Sequence, residues 1–181
     1  MEPKKRRLFF ALWPDEAARK ALAACAGEAH ALSGGRRMRA ENLHLTLAFL
    51  GSVDAGRLDE LVAAADTVVP QRFTVMFDEP GYWKHNRIFW LGASIVPAEL
   101  SQLVAELRAA LLARGIKFDP KPFVPHITLL RNARPPKEMP ALPAVSWEAS
   151  GFALISSERD DEGPRYRVAA RFGGAPAVEN V

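Results

Sequence analysis

Short apolar runs alternate with amphipathic stretches along the 181-residue chain, and this pattern predicts a mixture of strands and helices. An Ala-rich helix is expected after the first strand because acidic residues follow Pro14 and Gly34-Gly35 stops the pattern. In the first half the predicted elements are a strand at 8–13, a helix at 14–32, strands at 43–50 and 72–77 separated by a helix at 55–68, and a turn at 79–81.

The order of elements begins again at residues 87–92, which resemble residues 7–12. The predicted elements that follow are a helix at 97–114, strands at 123–130, 147–156 and 166–172, a Pro-rich segment without a long helix at 132–143, a long hairpin loop at 158–164 and a frayed tail at 173–181. This repetition indicates two similar lobes, at about 8–86 and 87–172, in one domain that covers 1–181 and starts with a basic tail at 1–7.

The repeat is sharpest at His44-Leu45-Thr46-Leu47, which returns as His126-Ile127-Thr128-Leu129 although the chain has only four histidines. Successive side chains along a strand point to opposite faces. In each copy, therefore, the His and the Thr share one face and the aliphatic residues occupy the other. This arrangement predicts two strands with their backs to a core and their polar faces towards a common cleft.

A pair of opposed histidines suits the transfer of a phosphodiester, because one imidazole can accept a proton while the other donates one. The Thr46 and Thr128 hydroxyls can hold the phosphate oxygens. Arg131 should point away from the cleft on simple alternation, unless a bend turns its guanidinium towards phosphate; the alternative is an exterior salt bridge. A metal site on the two histidines is less favoured, because the sequence offers no third ligand at suitable spacing.

Composition and charge limit the class of substrate and the cellular compartment that we expect. The chain is 49% hydrophobic, and its net charge is +3 with a pI near 9.2. Basic residues cluster at 4–7, 36–39 and 117–134, which predicts either a polyanionic substrate or a solvated surface. The one cysteine, Cys25, excludes an internal disulfide and predicts a buried position in a reducing compartment. No apolar stretch is long enough to span a membrane, so we expect a cytoplasmic protein without membrane association.

The two His-x-Thr-Leu motifs resemble the signature motifs of the two-histidine (2H) phosphoesterases. Within that group the chain is similar to the bacterial and archaeal RNA 2′,3′-cyclic phosphodiesterases, also called LigT-like proteins or 2′-5′ RNA ligases. The similarity extends over residues 7–11, 42–51, 87–92 and 125–131. The resemblance implies an α+β, bilobal, pseudo-symmetric fold in which each lobe is a mainly antiparallel sheet backed by helices, with a central cleft between the lobes.

The resemblance also implies hydrolysis of a 2′,3′-cyclic phosphate on RNA to a 2′-phosphate, with no cofactor or metal. It assigns His44 as the proton donor and His126 as the proton acceptor, and it places Thr46 and Thr128 on the phosphate. Arg131 is a further candidate for phosphate binding because of its forked donors. The expected partner is RNA with a cyclic phosphate end, or a 2′,3′-cyclic nucleotide, bound by a monomer. Cleavage or joining of 2′-5′ linkages and non-catalytic RNA binding stay open as alternatives.

Aromatic side chains are candidates for stacking on a terminal base. Trp83 and Tyr166 are the main candidates, whereas Phe9 and Phe10 are expected to pack in the core. His30 and His85 lack a Thr partner, and we expect no role for them.

Overall fold

The computed structural model describes residues 4–161 and 163–174. The fold is α+β, with antiparallel sheets and few helices, as predicted. The elements are β1 (Lys5–Leu12), α1 (Glu16–Ser33), β2 (Arg36–Arg37), β3 (Leu45–Asp54), α2 (Leu58–Ala65), β4 (Phe73–Phe77), β5 (Glu79–Trp83), β6 (Ile88–Gly92), α3 (Ala98–Ala113), β7 (His126–Arg131), β8 (Val145–Ala149), β9 (Gly151–Asp160) and β10 (Gly163–Gly173).

The described strands form two four-stranded sheets and one separate pair. The first sheet has the order β10-β9-β1-β3, and the second has the order β2-β7-β6-β5. Strands β4 and β8 pair with each other. All neighbouring strands are antiparallel.

The internal repeat is visible as two strand-helix-strand units, β1-α1-β3 and β6-α3-β7, in which the two strands pair directly. Ala11 lies opposite Thr46 in the first unit, and Trp90 lies opposite Thr128 in the second. The structural equivalent of Trp90 is therefore Ala11, one position later than the sequence comparison of residues 7–12 with 87–92 suggests.

The two units are interlocked rather than side by side. Strands β9 and β10 come from the end of the chain, yet β9 pairs with β1; β2 comes from the first half, yet it pairs with β7. Helix α1 contacts β7 and β8, and α3 contacts α2 and β3. The lobes expected at about 8–86 and 87–172 therefore do not correspond one to one with the sheets.

Strand β1 separates a large core from a smaller apolar cluster. Leu8, Phe10 and Leu12 point into the main core, which also contains the aliphatic residues of both motif strands. Phe9 and Trp13 point to the other face. Each fully buried side chain of this size contributes about 1.5–3 kcal/mol, so the shared core holds both motif strands firmly.

Three predicted segments differ in the structure. Residues 79–81 are not a turn but the start of β5, which pairs with β6. The single strand expected at 147–156 is two strands, β8 and β9, in different sheets, because the chain changes direction between Ala149 and Gly151. The loop expected at 158–164 is mostly strand, since Asp160 already pairs with Gly163.

The ends of the chain differ less from the elements that the sequence predicts. Strand β1 begins at Lys5, so Lys5, Arg6 and Arg7 pair with β3 although the sequence assigns them to a basic tail. Gly173 ends β10. The rest of the predicted C-terminal tail, from 175 to 181, lies outside the described residues.

Candidate active site

Both motifs present their polar residues towards one cleft, as strand alternation predicts. His44 and Thr46 are partly exposed, whereas Leu45 and Leu47 are buried. The second motif has the same pattern, with Ile127 and Leu129 fully buried. We call the space between the two motifs the central cleft.

A short hydrogen bond fixes the orientation of the His44 ring. Its Nδ1 atom donates to the carbonyl oxygen of Asn42 at 2.6 Å, and its Nε2 atom lies 3.0 Å from the Oγ1 atom of Thr46. Because a neutral imidazole carries one proton, this arrangement leaves Nε2 as an acceptor for the Thr46 hydroxyl. Nε2 is therefore the nitrogen of His44 that can accept a proton.

The second histidine is held in the same way. The Nδ1 atom of His126 donates to the carbonyl oxygen of Val124 at 2.8 Å. In each motif, the carbonyl two residues before the histidine thus selects the same tautomer. In both rings Nε2 is therefore the nitrogen that can accept a proton.

Aromatic rings surround the two histidines unequally. The centroid of the His44 ring lies 4.9 Å from that of Phe9, 5.2 Å from that of Trp13, which stacks on it, and 5.3 Å from that of Tyr166. The ring of His126 meets the Trp83 ring at 4.5 Å with an interplanar angle of 70°. His44 therefore has the more apolar environment.

This environment changes the acidity of both rings. Part of the His44 side chain is exposed, but burial among the aromatic residues and, to a smaller extent, the positive charges of Arg131 and of protonated His126 lower its pKa to about 4, against the opposing effect of the hydrogen bond to Asn42. Burial, followed by the charge of Arg131, also lowers the pKa of His126. In the free protein both imidazoles are therefore neutral at pH 7.

A β-bulge explains why Arg131 acts on both histidines. The pairing of β6 with β7 shifts between Trp90, opposite Thr128, and Phe89, opposite Leu130, which leaves Leu129 as an extra residue. Leu129 and Leu130 are both buried, so the alternation of faces changes and Arg131 falls on the side of Thr128. Simple alternation, which turned Arg131 away, is wrong at this point.

The equivalent bulge in β3 places a different residue at the cleft. There the extra residue is Leu47, followed by Ala48, and Phe49 takes the position that Arg131 has in β7. The guanidinium of Arg7 lies 4.8 Å above the Phe49 ring. At this repeated position, β7 thus contributes a guanidinium to the cleft and β3 contributes an aromatic ring.

Positive charge gathers beside Tyr166. Burial raises the pKa of this phenol, while the charges of Arg131, Arg7, Arg36 and Arg159 act to lower it. Arg36 and Arg131 are also direct cross-strand neighbours. Like charges opposite each other destabilise a sheet, so an anion bound between these arginines would be stabilising.

A cavity of about 540 Å³ opens beside the central cleft. Thr46 from the first motif and His126 from the second both line it. Most of its surface is apolar and includes the rings of Phe49, Trp83 and Phe123. The cavity therefore begins where the two motifs meet.

The model of the LigT-like phosphoesterase family matches this chain over residues 12–90 and again over residues 91–166. The chain belongs to the LigT-like phosphoesterase family. The two matches correspond to the two copies of the histidine motif.

Relatives of known activity and structure agree with this membership. The chain is 34% identical over 169 residues to the RNA 2′,3′-cyclic phosphodiesterase of Escherichia coli K12, covering 92% of this chain and 96% of the relative. It is 31% identical over 177 residues to the RNA 2′,3′-cyclic phosphodiesterase of Thermus thermophilus, covering 92% and 89%. The structure matches the crystal structure of E. coli LigT complexed with 3′-AMP with a TM-score of 0.86 and 33% identity, covering 94% and 98% of the two chains.

The structure brings the predicted site residues of this LigT-like protein into one region. His44, Thr46 and Tyr166 lie on the first sheet or at its end, and their partners lie on the second. Those partners are His126, Thr128, Arg131 and Trp83. The ring contacts of Tyr166 and Trp83 with the histidines place both aromatic residues at the cleft.

The sequence does not reveal the role of several residues at the site. Phe9 and Trp13 contact His44, and His85 lines the cavity. Phe9 is buried, as predicted, but it lies in the smaller apolar cluster beside His44, and an all-apolar strand does not reveal which of its faces meets the histidine. The buried side chain of Asn42 donates from Nδ2 to the carbonyl oxygen of Pro164 at 2.9 Å. Asn42 thus connects the carbonyl that orients His44 to strand β10.

The remaining predictions concern residues outside the cleft. Cys25 is buried, as predicted, and His30 is exposed in the last turn of α1. Within residues 4–161 and 163–174, no three His, Cys, Asp or Glu side chains are grouped closely enough to hold a metal ion. No helix in that part of the chain has the length and apolar character needed to cross a lipid bilayer.

Proposed function

We propose that this protein is an RNA 2′,3′-cyclic 3′-phosphodiesterase that hydrolyses a terminal 2′,3′-cyclic phosphate to a 2′-phosphomonoester. One observation carries the proposal: two imidazoles with the same fixed tautomer share a cleft with two threonines and one arginine. The names of the relatives support RNA as the substrate class.

In the proposed reaction His126 accepts a proton from water as the water oxygen attacks phosphorus. The bond from phosphorus to the 3′-oxygen breaks, and protonated His44 gives its proton to that oxygen. The products are a 3′-hydroxyl and a 2′-phosphate. General acid and base catalysis of this kind contributes about 10²–10⁴-fold for each group.

Thr46, Thr128 and Arg131 hold the non-bridging oxygens, whose negative charge must be stabilised during the transfer. The same negative charge explains how His44 can act as the proton donor. His44 is neutral at pH 7 in the free protein, and an opposite charge within a few ångströms favours the charged form of a titratable group. The bound phosphate therefore raises the pKa of His44 and favours its protonated form in the complex.

The testing experiment incubates the protein with 2′,3′-cyclic nucleotides and with cyclic-ended RNA, with a chelator present, and identifies the products by phosphorus NMR. We expect a 2′-phosphomonoester from the wild type and a loss of at least about 100-fold in His44→Ala and in His126→Ala. His30→Ala, an exposed histidine outside the cleft, is the matched control. Full activity in either motif variant would overturn the proposal.

The same assay separates the alternatives. A new diester, or cleavage of a 2′-5′ linkage, would indicate ligase or 2′-5′ phosphodiesterase activity. Salt-dependent RNA binding without any product would indicate a non-catalytic RNA-binding module.

We also propose a monomer that works in the cytoplasm without a cofactor. The buried thiol of Cys25 supports a reducing compartment. Light scattering of the purified protein tests the monomer, and localisation of a tagged copy tests the compartment.

A further inference from the structure

We infer that Trp13 is a positioning residue that makes His44, and not His126, the proton donor, because its stacked indole ring stabilises the protonated form of the His44 imidazole. This inference rests on the proposed function, since it concerns the acid of that reaction. The two motifs have the same sequence pattern and the same fixed tautomer. The difference between donor and acceptor is therefore expected in the residues around the motifs.

In the first strand-helix-strand unit, a large aromatic residue lies next to the histidine. Leu12 of β1 pairs with Leu45 of β3, so the register places Trp13 opposite His44. The indole ring stacks on the imidazole, with 5.2 Å between the ring centroids and 11° between the ring planes. One face of the indole thus lies against His44.

In the second unit, the large and the small residue are exchanged. Gly92 of β6 lies opposite His126, whereas Trp90 lies opposite Thr128. A Cβ atom on Gly92 would lie only 2.7 Å from the Trp90 ring, so this ring already covers the position of a side chain there. The Trp83 ring does meet His126, but at 70°, and is therefore not stacked on it. The two histidines thus differ in the residue opposite them.

A stacked aromatic face favours the charged imidazole over the neutral one. The face of an indole carries partial negative charge, so it attracts a cation within about 6 Å of the ring centroid, most strongly where water is excluded. Trp13 is buried in the small apolar cluster together with Phe9. An aliphatic side chain at this position would exclude water as well, but it would offer no negative face. Trp13 therefore offsets part of the cost that burial imposes on a charged His44.

The other groups around His44 do not favour its charged form in the free protein. Burial is the main cause that lowers the pKa of His44, and the charges of Arg131 and of protonated His126 act in the same direction. The Tyr166 phenol meets the ring edge to face and is neutral near pH 7, because burial raises its pKa. A bound phosphate supplies negative charge. The indole face then acts together with the phosphate, so that His44 carries its proton in the complex.

The test replaces Trp13 with tryptophans that carry an increasing number of fluorine atoms, which weaken the negative face of the ring and nearly keep its shape. We expect the basic limb of the kcat profile for a 2′,3′-cyclic nucleotide to move to lower pH. On that limb kcat should fall by about 3- to 30-fold, the range of a buried cation–π interaction. Trp13→Leu, which keeps an apolar side chain without a π face, should show the same change.

A substrate with sulfur in place of the bridging 3′-oxygen distinguishes this role from a merely structural one. Its leaving thiolate needs no proton donor, so kcat with the fluorinated Trp13 proteins should stay within about twofold of the wild type. An equal fall with the oxygen and the sulfur substrate would overturn the inference. An unmoved kcat profile with the oxygen substrate would also overturn it.

Trp147 is the matched control. It is also buried, and its ring stacks on that of Phe77 with 5.0 Å between the centroids and 19° between the planes, but it lies in the main core on β8. The same fluorinated tryptophans at Trp147 should leave the kcat profile within about twofold of the wild type. A fall equal to that at Trp13 would overturn the inference.

Proton NMR titration of His44 in saturating inorganic phosphate separates this inference from the proposed function. We expect fluorination of Trp13 to lower the pKa of His44 in this complex, and fluorination of Trp147 to leave it unchanged. This result supports the role of Trp13 even if the wild type hydrolyses no cyclic phosphate. Hydrolysis by the wild type, with a His44 titration that fluorination of Trp13 does not move, would keep the proposed function and overturn the inference.

Discussion

The Nε2 atom of His44 lies 3.0 Å from the Oγ1 atom of Thr46, within the same motif. The hydroxyl that is proposed to hold phosphate therefore donates to the imidazole while the cleft holds no substrate. In the proposed mechanism, this hydroxyl turns from the ring to the bound phosphate, and the ring takes up a proton. Thr46 would thus couple phosphate binding to the protonation of His44.

Replacing Thr46 tests this coupling. Thr46→Val keeps the shape of the side chain but removes the donor, so we expect kcat/KM to fall by about 10- to 100-fold, as for loss of a hydrogen bond to a charged group. Thr46→Ser keeps a hydroxyl and should stay within about tenfold of the wild type. Steady-state kinetics with a 2′,3′-cyclic nucleotide gives both values. Equal losses in the two variants would show that keeping the hydroxyl does not preserve activity, and would contradict this coupling.

The pKa values of the two histidines predict an acidic optimum for kcat/KM. This parameter reports the free enzyme, which must hold one protonated and one neutral imidazole. The pKa of His44 is lowered to about 4 and that of His126 is lowered from 6.5, so both limbs of the bell should lie below pH 6.5. In the profile of kcat, the bound phosphate should move the basic limb to higher pH. A kcat/KM that rises up to pH 8 would contradict the scheme.

Substitution of Arg131 should move this profile. The charge of Arg131 lowers the pKa of both histidines, so Arg131→Ala should raise both values and shift the bell to higher pH while weakening substrate binding. Arg131→Lys keeps the charge but loses the forked donors, and we expect weaker binding with little shift of the bell. Proton NMR titration of the His rings, together with KM, measures both effects. Unmoved titrations in Arg131→Ala would place the guanidinium away from the cleft.

A sulfur substitution separates the roles of the two histidines. A cyclic substrate with sulfur in place of the bridging 3′-oxygen releases a thiolate, which needs no general acid. With this substrate we expect His44→Ala to recover to within about tenfold of the wild type, whereas His126→Ala should stay impaired by about 100-fold or more. Initial rates with both substrates provide the comparison. Recovery of His126→Ala instead would show that His126 is the proton donor and His44 the acceptor.

The lowered pKa of His44 also makes stability depend on pH. Between pH 6.5 and 4 the unfolded chain binds a proton at His44 that the folded protein does not, so the free energy of unfolding should fall as the pH drops through this window. The expected contribution is about 1–3 kcal/mol, from a shift of this size and partial exposure of the ring. Urea unfolding of His44→Asn should show a flatter dependence, and His30→Asn should match the wild type. Parallel curves for the wild type and His44→Asn would rule out this linkage.

The sequence predicted the site better than the path of the chain. Period-two alternation placed His44, Thr46, His126 and Thr128 correctly, because one face of each motif strand is aliphatic and must be buried. The same rule failed at Arg131, since a bulge is set by how two strands pair and leaves no mark in the periodicity of one strand. The contact of Asn42 with Pro164 joins parts of the chain that are far apart in sequence, and no local pattern encodes it.

The exchange of strands between the two halves has a consequence for fragments of the chain. A piece that ends near residue 90 would contain one complete histidine motif, but β1 would lose its neighbour β9 and α1 would lose the β7 and β8 surface that it contacts. Such a piece would expose unpaired backbone and a bare apolar helix face, and so would the complementary piece. Activity should therefore return only when the two pieces are expressed together, which makes the protein a natural candidate for a split reporter.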